Sequence, residues 1–189
     1  MTEQEFFTVH HQMTVNVEPL SADFVLPSNE VFVSEIPAPF LVASEFSQLD
    51  QLSDNARSEL KTHELKHVIA LLDNQNEKLN LLLTFMLSQQ DDATHRSTTT
   101  RFGASLFTYR ARTPLQTGQK ARVKLFLEHP AAAIYCYAHC VSVEQEANDT
   151  FITMKYDLLR DIDEDLLIKA ALYQQQKLLR QRSLNRDKK

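Results

Sequence analysis

Glycine is almost missing from this chain: Gly103 and Gly118 are the only two in 189 residues. A phosphate-cradling loop, a G-x-S-x-G nucleophile elbow and a dinucleotide fingerprint each need glycines close together, and these two stand far apart, so nucleotide-processing chemistry built on those motifs is excluded. Cysteine is as scarce, with Cys136 and Cys140 alone. They lie four apart in a strand-like stretch, which separates them by roughly 13 Å, too far for a disulfide. Two buried thiols in a reducing compartment are the expectation, and the cytoplasm is the expected location. No apolar run reaches 18 residues, so no membrane span is expected. The start, MTEQEFFTVHHQ, is acidic before it is apolar, unlike a secretory signal. A net charge of -5 argues against non-specific DNA binding, and no nucleic-acid partner is expected.

What remains is ordinary globular material, 43% hydrophobic and 24% charged, organised in three parts. Residues 1–52 hold Pro19, Pro27, Pro37 and Pro39 and one alternating segment, Thr14 to Val17. They read as an extended N-terminal arm wrapped over another surface, either adding a strand to the barrel or covering the wider face of the helix, because helix is disfavoured across prolines and the apolar content is too high for a disordered tail. Residues 53–90 contain no Gly or Pro and read as one long helix with Ser53 or Asp54 at its cap. Residues 91–189 switch to strand-like periods. Ala121 to Leu127, Ile134 to Val143 and Phe151 to Tyr156 are separated by turn signals, and the acidic start Asp161–Asp165 opens a closing helix to about Arg182. Three or four antiparallel strands with short turns suggest a small barrel or curled sheet.

The long helix carries a heptad. Leu65, Leu72, Leu79 and Met86 recur every seven residues, and the companion position holds Ile69, Asn76 and Leu83. A single Asn in such a seam fixes register at some cost in stability. A helix of roughly 54 Å is longer than a small barrel can cover, so a homo-oligomer is expected through this seam. Val68, Leu71, Leu82, Phe85 and Leu87 widen the apolar surface beyond the need of a two-stranded coil.

The same helix contains His63-Glu64-Leu65-Lys66-His67, the H-E-x-x-H pattern of zinc peptidases. Catalytic zinc needs a third protein ligand and an open position. Here Ala70 stands where the extended signature has Gly, Asp73 continues along the same helix roughly 15 Å away, and Leu65 belongs to the seam. No catalytic residue and no metal ligand is assigned; a zinc peptidase is the weakest of the readings.

The order of features from residue 96 to 182 resembles a PilZ domain, the small bacterial barrel often used to sense cyclic di-GMP. Thr98-Thr99-Thr100-Arg101-Phe102-Gly103 is similar to the family's ligand strand, D/N-x-S-x-x-G, with Thr98, Thr100 and Gly103 at the motif positions and only the Gly retained. Pro114-Leu115-Gln116-Thr117-Gly118 resembles its "P-L-x-x-G" turn, and the remaining strands and the closing helix follow in order. The family's R-x-x-x-R has no counterpart, since no Arg lies between Arg57 and Arg96. The whole layout resembles an atypical, degenerate PilZ protein with a helical insertion, of gammaproteobacterial type.

The resemblance implies an α+β fold: a small antiparallel PilZ-like barrel with a C-terminal helix, preceded by the heptad helix and the arm. It implies a non-catalytic regulatory or adaptor protein in cyclic di-GMP-related signalling, acting by self-association and contact with a protein partner and needing no cofactor. The alternative is a genuine cyclic di-GMP receptor that binds through Arg96, Thr98, Thr100, Arg101 and Gly103, with Arg110 and Arg112 nearby.

Overall fold

A computed structural model describes residues 7–59, 65–129 and 131–186. Strands β1 (Thr8–His10) and β2 (Thr14–Pro19) come first, followed by helices α1 (Asn29–Glu35), α2 (Ala38–Glu59) and α3 (Lys66–Ser88). Then come β3 (Arg96–Gly103), β4 (Leu106–Ala111), β5 (Lys120–Glu128), β6 (Ala131–Glu146), β7 (Asp149–Leu158) and the closing helix α4 (Asp161–Arg186).

All strand pairings are antiparallel, and the sheet closes on itself in the order β3-β2-β5-β6-β7-β4, with β3 also paired to β4. The expected α+β architecture, a small PilZ-like barrel with a C-terminal helix, is what the chain forms. Alternation sets the inner face: along β5 half-buried and buried side chains alternate, so Ala121, Val123, Leu125 and Leu127 fill the barrel while Lys120, Arg122, Lys124 and Phe126 point out. β6 breaks that alternation because both of its faces are covered. Ile134, Cys136 and Ala138 join the barrel core, and Ala133, Tyr135 and Tyr137 join a second core under the helices.

The segment expected as an extended arm is more ordered than that. Its residues supply β2 to the barrel and the short β1, which pairs with β3 alone, and its prolines punctuate helices rather than forbid them. Pro37 directly precedes α2 and Pro39 lies in that helix's first turn, where a missing N–H breaks no helical hydrogen bond. Helix therefore begins at Asn29, and the helix that runs through residue 53 starts at Ala38. The long helix is also not one described element. α2 ends at Glu59, residues 60–64 lie outside the described residues, and Leu65 sits before α3 with φ −101° and ψ 6°. His63 and Glu64 of the H-E-x-x-H stretch fall in that gap, and His67 is exposed on α3.

Two ties fix the helices to the barrel. Arg160 donates to both carboxylate oxygens of buried Asp163 at 2.7 Å and to Ser44 Oγ at 2.7 Å, which joins α2 to the start of α4. Burial still pushes the Asp163 carboxyl above its ordinary range, with the Arg160 bonds opposing. At the other end, Asn16 Nδ2 donates to Asp91 Oδ1 at 2.7 Å, Arg96 pairs with Asp91 at 2.7 Å, and Lys124 Nζ donates to the Gln90 carbonyl at 3.1 Å. The chain leaving α3 is thereby stitched to β2, β3 and β5. Among the described residues no helix is long and apolar enough to cross a membrane.

Candidate functional site

α3 is amphipathic twice over. Its inward row, Ile69, Asp73, Asn76, Asn80, Leu83 and Leu87, follows helical spacing and meets the barrel's helical cover, with Leu83 and Leu87 buried in the second core beside Phe40 and Tyr135. The outward row is Val68, Leu72, Gln75, Leu79, Leu82 and Met86, alternately four and three apart. Leu71, Leu81 and Phe85 flank it, and all of these apolar side chains are exposed. The seam expected from sequence is thus split. Leu72, Leu79 and Met86 face outward, whereas Ile69 and Asn76 are half-buried on the inward row and Leu83 is buried. Leu83 cannot reach another chain, because its own β6 and α2 already cover it. A row of large apolar residues left in water at coiled-coil spacing is the strongest functional signal in the molecule.

The residues expected to hold a ligand lie along β3, and the fold gives most of them other work. Arg96 is half exposed and bound to Asp91. Thr100 Oγ1 donates to the Thr108 carbonyl at 3.3 Å, and Arg101 Nε donates to Thr108 Oγ1 at 2.9 Å, whose hydroxyl meets Thr153 Oγ1 at 3.0 Å. Gly103 is covered by its own chain. β1 pairs with β3 as Thr8↔Gly103, Val9↔Phe102 and His10↔Arg101, and a Cβ on Gly103 would strike the carbonyl of Phe7. Glycine here permits close approach of a backbone, and the backbone that approaches is β1.

Thr98 and Thr100 do line a polar groove of about 680 Å³, together with Gln12, Arg110, Arg112 and Asn148. A smaller recess of about 270 Å³ adjoins it at the barrel mouth, where Arg96 and Arg112 flank Val17, Tyr109 and Leu115. Arg110 is committed to Asp149 by a hydrogen bond of 2.8 Å from Nε. Arg112 lines both concavities and carries no ion pair or hydrogen bond among the described residues. The arrangement suits an anion with polar substituents: one free guanidinium, hydroxyls, and side-chain amides. Gln12 and Asn148 reach it from the β1–β2 and β6–β7 turns, and nothing in their local sequence signals that placement. Among the described residues no group of three His, Cys, Asp or Glu side chains is arranged to hold a metal ion.

No family model matches this chain, and no curated protein sequence matches it. Solved structures do. A Xanthomonas campestris protein, described as a pathogenic protein with a new tetrameric PilZ domain self-assembled via an unusual helical bundle, aligns with TM-score 0.59. It is 10% identical, and the alignment covers 93% of this chain and 91% of that one. The inhibitor of motility from Bacillus subtilis aligns with TM-score 0.42 and 15% identity over 43% of this chain and 42% of its own. The first likeness spans the helices as well as the barrel and shows that the chain has a PilZ-like fold.

Proposed function

We propose that this chain is a non-catalytic regulator or adaptor of PilZ type in cyclic di-GMP-related signalling, located in the cytoplasm, which works by self-association and by contact with a protein partner. The observation that carries the reading is the outward row of α3, six heptad positions of which only Gln75 is polar, all left exposed by the single chain. The tetrameric helical bundle described for the Xanthomonas protein, a structural match along nearly the whole chain, supports it. Sedimentation equilibrium on the intact chain tests it. The expected mass is a multiple of 21.8 kDa at micromolar protein, falling to the monomer in the double variant Leu72→Lys, Leu79→Lys. A wild-type chain that stays monomeric removes the reading.

Arg112 favours a second reading, in which the polar groove binds cyclic di-GMP through Arg112, Thr98 and Thr100 beside Arg96. A free guanidinium over a concave polar surface is suited to a phosphodiester. Titration calorimetry with cyclic di-GMP should give heat that Arg112→Ala abolishes; no heat at high micromolar ligand excludes it.

A further inference from the structure

We infer that the groove between the end of α3 and the β5–β6 turn receives the free C-terminal end of α4 from a second copy of this chain. The inference rests on the self-association proposed above and names a second part of that interface. The groove holds about 400 Å³, floored by Leu87, Phe126, Leu127 and Ala132 and rimmed by Glu128. Its other wall is α3 itself at Thr84 and Ser88, beside the exposed Leu81 and Phe85 three residues before each of them. The groove therefore borders the exposed apolar flank of that helix at Leu81 and Phe85, across the helix from Leu82 and Met86, and a chain that covers this flank reaches it.

The occupant is identified by what α4 lacks. Leu166, Leu167, Ala170, Ala171 and Gln174 hold its first half on the barrel, and every described residue from Gln175 to Ser183 is exposed. About two and a half helical turns thus stand free of the barrel with no tertiary packing of their own. They carry Leu178 and Leu179, both exposed, and Lys177, Arg180 and Arg182, with no acidic residue from Leu166 to Arg186. An apolar, basic helix end complements an apolar groove with an exposed glutamate on its rim. The chain does not fill its own groove this way: the unbroken helix passes His129 at Tyr173, with ring centroids 5.4 Å apart, and leaves both leucines in solvent. A second copy can fill it.

Charge reversal on the intact chain provides the test, read by sedimentation equilibrium at low salt. Glu128→Arg alone, and Lys177→Glu with Arg180→Glu, should each weaken assembly about tenfold or more. Combining the three substitutions in one chain should restore most of it, because the reversed pair meets across copies. Assembly unchanged by the α4 substitutions overturns this docking while leaving the α3 reading intact, and so does weakening that the combined variant fails to restore. Loss of assembly on Leu72→Lys, Leu79→Lys reports on α3 separately, so the two failures are distinguishable.

Discussion

Leu82 and Leu83 are adjacent in sequence and opposite in consequence. Leu83 is 4% exposed in the second core, and Leu82 is 66% exposed on the outward row of α3. Truncating a buried leucine to alanine removes transferred surface and leaves a cavity, so Leu83→Ala should cost about 2–5 kcal/mol of unfolding free energy in the single chain. Leu82→Ala should change that quantity by no more than about 0.5 kcal/mol, since its branch already lies in water. Its effect is reserved for assembly. Full burial of a leucine side chain is worth about 1.5–3 kcal/mol, so the exposed two thirds is worth about 1–2 kcal/mol per copy. In a dimer both copies lose it, about 2–4 kcal/mol in total, which weakens Kd by about 30- to 1,000-fold. Urea melts at a dilution where the chain is monomeric, paired with sedimentation across a concentration series, separate the two quantities. Equal losses of monomer stability from both substitutions would refute the assignment of faces. Unchanged association in Leu82→Ala would refute a role for the outward row.

Three further outcomes follow from single positions. Gly103→Ala places a methyl group against the Phe7 carbonyl, so β1 must shift; amides of Thr8–His10 should lose protection from hydrogen exchange, with a stability loss of about 1–3 kcal/mol. Ala147, in the two-residue turn between β6 and β7, has φ 52°, a left-handed conformation that costs about 1–2 kcal/mol for a residue with a Cβ. Ala147→Gly should raise the urea midpoint by about 0.5–1 kcal/mol equivalent after the entropy glycine adds to the unfolded chain. Burial holds the His11 imidazole below its ordinary value of 6.5, with Glu128 opposing and Lys177 and His129 reinforcing. The folded chain then favours neutral His11, and the stability this gives is present above about pH 6.5 and lost as pH falls through the lowered folded value. His11→Gln should flatten the decline of stability with pH over that range.

The barrel was legible where burial leaves a local trace. Ala121 to Leu127 alternates because one face of β5 is covered, and the run from Ala131 to Ala138 is continuously apolar because both faces of β6 are. That the arm adds a strand to the barrel was one of two readings the sequence left open, and it could not choose between them. Thr14–Val17 alternates, but its partners on β3 and β5 lie some 80 to 110 residues away, and only the closed sheet reveals them. The ligand strand shows the same limit. Gly103 stands where a resemblance places a ligand-binding glycine, and the sequence holds no sign that β1 covers it.

The heptad of α3 had two solutions, and spacing alone could not choose between them. Leu72, Leu79 and Met86 belong to both; the companion row is either Ile69, Asn76, Leu83 or Val68, Gln75, Leu82. Each row is apolar except for one central amide, so each satisfies the pattern of a register-fixing seam. Tertiary packing decides. Leu83 and Leu87 fit the aromatic surface that Tyr135 and Tyr137 present on the outer face of β6, and this turns Asn76 toward its own chain and Gln75 toward solvent. Under the self-association proposed above, the polar layer between copies is then Gln75, and Asn76 serves the packing of the insertion on its own barrel. The apolar excess that looked too wide for a two-stranded coil has the same origin: one side of the helix is spent on the fold, and Leu71, Leu82 and Phe85 widen the side that is left.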